Sequence, residues 1–133
     1  MIRILEAAPW LRDPQYRLIL QCQSRRPELR RWLYGSGYRI TAETLAQDGK
    51  FIYPIMEVVY APSEPLTPGG CHISPALLAS GSPLLPDFLR RVKGGIQTTV
   101  EGLRHSGSPK LPEFEAILAE LNEMEETIHA HRS

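Results

Sequence analysis

Cysteine is nearly absent from this chain, with only Cys22 and Cys71 among 133 residues. Two cysteines cannot build the disulfide framework of a small secreted domain, and the usage fits a reducing cytoplasm. Long apolar runs are missing too. None approaches the roughly 18 residues needed to cross a bilayer, so no membrane-spanning helix is expected. The start, Met1-Ile2-Arg3-Ile4-Leu5-Glu6, carries a glutamate where a secretory signal would continue its apolar stretch. No glycine-rich loop stands between a strand and a helix: Gly35-Ser36-Gly37 follows a helical pattern and Gly69-Gly70 lies in a proline-rich stretch. Metal-ligand spacing is lacking as well, because Cys71-His72 is a single pair and zinc requires three or four ligands. No metal and no membrane partner are therefore expected.

What remains is the composition of one ordinary domain, 42% hydrophobic and 23% charged, and long enough to bury a core. Its 12 prolines are about twice the usual share. The net charge of zero conceals a segregation. Residues 1–110 hold 14 Lys and Arg against 9 Asp and Glu, whereas residues 111–133 hold 1 against 6. Such a split is compatible with a basic surface for an anionic partner beside an acidic helix.

Residues 2–8 read as the last turns of a helix, with Ile4, Leu5 and Ala8 on one side, ending before Pro9. Residues 16–22 follow the turn signal Asp13-Pro14. Their Leu18-Ile19-Leu20 centre is a continuous apolar run suited to a strand buried on both faces of a parallel sheet. Ser24 to Glu28 reads as a helix start, and Leu29, Trp32 and Leu33 form one apolar face. Gly35 and Gly37 supply the positive φ that ends it. Residues 38–45 read as a strand, Asp48-Gly49 as the central pair of a hairpin turn, and residues 51–60 as the return strand. Pro54 in that strand predicts a bulge.

Residues 61–70 read as a linker. Beyond it Leu85, Leu89, Val92, Ile96, Val100 and Leu103 step at helical spacing, interrupted by Gly94-Gly95. A loop at 105–110 precedes a second stripe, Phe114, Ile117, Leu121, Met124 and Ile128. The two stripes suit an antiparallel helical hairpin with coiled-coil-like packing. A buried strand near residue 18 needs a neighbour on each side, and only the hairpin follows it. The pattern therefore reads as the latter part of a larger α/β protein.

Leu29-Arg30, Trp32-Leu33, Gly37-Tyr38, Ile40, Glu43, Leu45, Asp48-Gly49-Lys50 and Tyr53 share the order and spacing of a segment in the bacterial tRNA (adenine-22-N1)-methyltransferases, which the chain resembles. A second match follows in Ser74-Pro75, Leu77-Leu78, Pro83-Leu84-Leu85, Phe88-Leu89 and Lys93. These are class I enzymes that use S-adenosylmethionine. The resemblance implies an α/β fold, the C-terminal part of a class I (Rossmann-like) methyltransferase sheet with an antiparallel hairpin whose final strand inserts beside the fifth. An α-helical hairpin follows. Residues 1–60 would then belong to the α/β domain, 61–72 to a linker and 73–133 to the helical extension. The family's cofactor-binding half, with its glycine-rich loop, has no counterpart here, so the chain alone is expected to be inactive. Met1 falls where the family has ordinary helix sequence. The implied reaction is methylation of adenine N1 in tRNA, in the cytoplasm.

The strand end Gln21-Cys22-Gln23 stands where the family has "QPN". Ligands of open α/β sheets bind at the carboxyl ends of strands, so Gln21, Cys22 and Gln23 are candidates for the substrate pocket. An amide offers the paired donor and acceptor that a flipped adenine needs; the alternative is a polar strand end contacting solvent and loop backbone. Arg25, Arg26, Arg30, Arg31, Arg39 and Lys50 are candidates for tRNA phosphates, or else the solvated side of their elements. Trp32, Tyr34 and Tyr38 are of a type that stacks on bases, yet Trp32 shares its helix's apolar face. Glu43 and Asp48 need no catalytic role, since a strand and its turn account for both. No catalytic residue is assigned. The competing reading is a non-catalytic module that binds RNA or protein through the helical hairpin, with self-association through the open strand edge or that hairpin.

Overall fold

A computed structural model describes residues 2–13, 15–21 and 27–132. Three strands, β1 (Arg17–Gln21), β2 (Tyr38–Asp48) and β3 (Phe51–Tyr60), form one sheet in the order β1-β3-β2. Both outer strands run antiparallel to β3, with Leu20 opposite Met56 and Ile40 opposite Val58. The last strand thus sits beside the first, as the resemblance implies. A short helix, α1 (Ile2–Glu6), precedes β1, and α2 (Glu28–Gly35) connects β1 to β2. Leu5 of α1 and Leu29 and Leu33 of α2 pack on Leu20, Tyr38, Ile40, Met56 and Val58 of the sheet. Each fully buried side chain of this kind contributes about 1.5–3 kcal/mol. Ile4 does not share that side; it is exposed, whereas Leu5 and, in part, Ile2 pack toward the sheet.

The hairpin turn differs from the sequence reading by one residue. Asp48 still pairs with Phe51, so Gly49 and Lys50 are the central pair, and Gly49 alone takes a positive φ, +60°. Glycine at the first central position is one of the favoured two-residue solutions. Pro54 carries no bulge and faces Leu45 in register. A two-residue turn closes on a hydrogen-bonded pair, and every second pair after it is bonded. Pro54 therefore falls on a position whose missing N–H costs no bond to β2. The register shift lies instead between Ile40 and Ala42. It changes the alternation of β2, so that Tyr38 and Ile40 before it and Glu43 and Leu45 after it are all buried. Gly37, at φ +92°, ends the turn after α2, where a Cβ would lie 2.7 Å from the Tyr60 ring.

The expectation of a strand buried on both faces is not met. On β1 only Leu20 is buried, and Ile19 is 67% exposed. Phe51, on the same side of the sheet, is 65% exposed. Among the described residues β1 pairs only with β3, and no helix covers the Ile19 side, so the alternate residues of each strand face solvent.

After β3 the chain makes a buried turn of 3-10 helix at Gly69–Cys71 and a short helix α3 (Pro75–Leu78). Ser74 caps α3, its Oγ accepting the Leu77 N–H at 3.1 Å, and Pro75 occupies the first helical position. Two 22-residue helices follow, α4 (Leu85–Ser106) and α5 (Leu111–Arg132). Leu85, Leu89, Val92, Ile96 and Val100 of α4 meet Ile117 and Leu121 of α5, with Phe114, Met124 and Ile128 at the margin. Phe88 joins them, and Leu45 and Ile52 tie this core to the sheet. The ion pairs Lys93–Glu125 at 3.2 Å and Arg104–Glu115 at 4.0 Å mark the antiparallel register. Gly94-Gly95 does not interrupt α4. The Thr98 and Thr99 hydroxyls donate to the Gly94 and Gly95 carbonyls at 3.1 and 3.0 Å, and the buried stripe runs through on the other side. Gly107, at φ +66°, closes the helix in the left-handed conformation.

Candidate functional site at the carboxyl end of β1

Because β1 and β2 are both antiparallel to β3, their carboxyl ends lie at the same end of the sheet. Gln21 ends β1 opposite Ile55, and Asp48 ends β2 opposite Phe51. Gln21, Asp48, Phe51 and Tyr53 line a cleft of about 330 Å³ there. Side chains two apart on a strand share a face, which puts the Phe51 and Tyr53 rings beside the Gln21 amide. The cleft thus offers an amide donor and acceptor, a carboxylate acceptor and two aromatic faces. A larger depression of about 590 Å³ lies between α3 and the facing ends of α4 and α5. It is lined by Pro75, Leu78, Leu85, Pro86 and Ile128 and has no titratable side chain on its walls, so it offers less chemistry.

The residues singled out from the sequence have different fates. Gln21 reaches the cleft; Cys22, Gln23, Arg25 and Arg26 lie outside the described residues. Lys50 is exposed at the hairpin tip, next to Phe51. Arg39 is exposed as well, but it pairs with Val59 at the far end of β3. Eight residues at the strand rise separate Val59 from Phe51, about 26 Å. Arg39 and Lys50 therefore cannot serve one small site. Arg31 is exposed on α2. Trp32 and Tyr34 are half-buried against the core, Trp32 stacking on Tyr38 with ring centroids 5.8 Å apart. Tyr38 is buried, and its hydroxyl has no hydrogen-bond partner among the described residues. None of the three is open to a base in this arrangement.

Arg30 is a correction. Its side chain is 2% exposed and that of Glu43 is 0% exposed. Arg30 Nε donates to Glu43 Oε1 at 3.2 Å, and its Nη2 donates to Oε2. Arg30 Nη1 donates to the carbonyls of Cys71 and His72 at 3.1 and 3.2 Å. Ser74 Oγ donates to Glu43 Oε1 at 2.7 Å. The guanidinium is spent inside the protein and is out of reach of a phosphate. Burial, together with Arg30 and Arg31, holds the His72 imidazole below its usual value.

Sequence reasoning missed this network because Glu43 on an isolated strand reads as solvent-facing. The signal lay in the phase change between Ile40 and Leu45, which only a bulge reconciles with one buried face. It also missed Phe51 and Asp48 as cleft walls; their signal was the alternation with Tyr53 once β3 is placed against β1. Arg90 and Arg91 of α4 went unremarked. Both pair with Asp87, and Arg91 Nη1 donates to the Lys50 carbonyl at 2.5 Å, tying the hairpin tip to α4.

Among the described residues no group of three or more His, Cys, Asp or Glu could hold a metal ion, and no helix is long and apolar enough to cross a membrane. Nor do the glycines form a cradle for a nucleoside cofactor. Gly49 faces open space, Gly37 abuts Tyr60, and Gly69 lies under Glu120. Among the described residues these glycines offer no loop that would hold S-adenosylmethionine.

A sequence model of the family described as tRNA (adenine(22)-N(1))-methyltransferase matches residues 1–132. Among solved structures, the m1A22 tRNA methyltransferase of B. subtilis is similar at a TM-score of 0.74 and 20% identity, over 92% of this chain and 57% of that one. A Streptococcus agalactiae protein of the NADB-Rossmann superfamily gives 0.73 and 20%, over 92% and 53%. A Streptococcus pneumoniae protein solved in complex with S-adenosyl-L-methionine gives 0.71 and 22%, over 94% and 54%. No curated protein matches. At these identities the likeness to solved structures establishes the fold, and the chain spans about half the length of each.

Proposed function

The chain belongs to the tRNA (adenine(22)-N(1))-methyltransferase family, and from that premise we propose that it supplies the RNA-facing part of an enzyme methylating adenine N1 in tRNA. The observation that carries the reading to the residues is the cleft of Gln21, Asp48, Phe51 and Tyr53 at the carboxyl end of β1. Enzymes that act on a base take it out of the stack and read its edge by hydrogen bonds while aromatic faces hold its plane. Here Phe51 and Tyr53 would hold the ring, Asp48 would accept from the exocyclic amine, and Gln21 would pair with a neighbouring edge position. Adenine N1 is already nucleophilic, so the protein's part is to position it and to exclude alternatives.

In such an enzyme S-adenosylmethionine supplies the methyl group. The described residues carry no glycine cradle for it, so the activity as proposed draws on a cofactor-binding half outside these residues. The open outer edge of β1 and the exposed Ile19 side of the sheet are the surfaces that half would cover. We place the activity in the cytoplasm with its tRNA.

The test is transfer of labelled methyl from S-adenosylmethionine to a tRNA bearing adenine at position 22. The chain alone should show no turnover. Mixed with the separately expressed cofactor-binding half of a family member, it should methylate N1, and the variant Ile19→Lys should abolish that complementation. Turnover by the chain alone would overturn the division of labour. Failure of the mixture to methylate, in a complex shown to form, would overturn the assignment.

A further inference from the structure

The two helices of the hairpin differ in charge, and it is α4 that borders Phe51 of the cleft. The described side chains of α5 include Glu113, Glu115, Glu120, Glu123, Glu125 and Glu126. Helix α4 instead presents Arg90, Arg91 and Lys93 in its first half against the single acid Asp87. Lys93 is engaged with Glu125. The Arg90 side chain, 76% exposed, pairs with the same Asp87 that Arg91 engages, and it borders a depression lined also by Glu125, Ile128 and His129 of α5. Arg91 anchors the Lys50 carbonyl, which holds the Lys50 backbone at the same corner of the molecule.

Phe51 connects this corner to the cleft. It lines the cleft with Gln21, Asp48 and Tyr53, and it also lines a small notch with Lys50, Ile52, Phe88 and Arg91. The cationic corner therefore stands one residue away from the aromatic wall.

We propose that Lys50, Arg90 and Arg91 form the seat for the phosphates flanking the base held in the cleft. The inference rests on the functional reading above and names the surface by which the RNA is positioned. Phosphate contacts bring counterion release, so each one adds to the steepness with which affinity falls as salt rises. Arg39, about 26 Å away along β3, lies outside the seat.

The experiment is titration of fluorescent tRNA with the full chain across a series of salt concentrations. The variants are Lys50→Gln, Arg90→Gln, their combination, and Arg39→Gln as a cation of equal charge at the far end. Lys50 and Arg90 are both exposed, so these variants should retain the fold, which circular dichroism checks. Each single seat variant should lower the slope of log affinity against log salt by about one, and the combination by about two, with Arg39→Gln unchanged. Equal losses in all three single variants would mean diffuse attraction and would overturn the seat, as would an unaltered slope in the combination. Absence of tRNA binding by the unaltered chain at low salt would overturn the seat and the RNA reading together.

Discussion

Removing one partner of the Arg30–Glu43 pair is the sharpest perturbation this structure offers. Both side chains are essentially out of water, and every oxygen and nitrogen named in the network is matched to a partner. Glu43→Ala would leave a guanidinium buried against two carbonyls with no counter-charge. It would also strip the Ser74 hydroxyl of its acceptor. Breaking a buried pair in this way costs about 3–5 kcal/mol. A chain of this size holds roughly 7–20 kcal/mol in total, so the variant should lose a large share of its stability. Arg30→Met should cost a similar amount, because it leaves the Glu43 carboxylate buried.

The double variant Arg30→Met with Glu43→Ala separates charge from packing. With no buried charge left, its cost should fall short of the sum of the singles by about 2–3 kcal/mol. Urea unfolding followed by far-ultraviolet circular dichroism and tryptophan fluorescence gives all four stabilities, and Trp32, stacked on Tyr38, reports the nearby core. Single variants that cost under about 1 kcal/mol, or costs that simply add, would show that water reaches the pair and would refute the argument.

Three further outcomes are expected. His72 has its folded value lowered below 6.5 by burial and by Arg30 and Arg31. The unfolded chain therefore binds the proton first as pH drops, and the contribution of this group is whole above about 6.5 and lost as pH falls below it; His72→Asn should flatten the stability profile between pH 7 and 5, and an unchanged slope would exclude the histidine as its source. Gly94→Ala and Gly95→Ala should each stabilise α4 by about 0.5–1 kcal/mol, since a Cβ at either meets nothing within 4 Å; a lower melting temperature in either would show a steric demand that the helix does not display. Tyr38→Phe should be neutral or stabilising by about 1 kcal/mol, because the hydroxyl is buried without a partner among the described residues, and a clear destabilisation would mean that the hydroxyl is satisfied in solution.

The elements were legible where one period dominated. The stripes from Leu85 to Val100 and from Phe114 to Ile128 could only be helices, and the run from Phe51 to Tyr60 could only be a strand. Burial was legible only where the sheet's surroundings were. The run Leu18-Ile19-Leu20 reads as doubly buried because it suits a central strand, yet in this chain β1 is an edge and Ile19 faces solvent. Among the basic residues, sequence alone gave no means of separating Arg30 from Arg31. One residue along a helix turns a side chain by about 100°, enough to move a charge from solvent to Glu43. Gln21 was legible as a residue at the strand-end cleft because the ends of strands are where such sheets bind ligands. Its companions depended on register, which one unrecognised bulge residue can invert.

That bulge has consequences beyond β2. Without the shift after Ile40, strict alternation from Tyr38 and Ile40 would turn Ala42 and Thr44 inward and leave Glu43 in water. With it, Glu43 enters the core beside Leu45, and a buried carboxylate requires a buried cation. Arg30 meets that requirement from α2, and its remaining donors take the carbonyls of Cys71 and His72, while Ser74, the cap of α3, binds the same carboxylate. One extra residue in a strand thus commits the segment at 71–74 to a fixed place against the sheet. Since α3 leads directly into α4, and Arg91 of α4 holds the hairpin tip at Lys50, the joint and the clamp fix the helical hairpin at two separate points. Loosening the joint should therefore disturb the Lys50 corner as well as stability. Glu43→Ala, at temperatures where it remains folded, should weaken tRNA binding more than it changes the secondary structure.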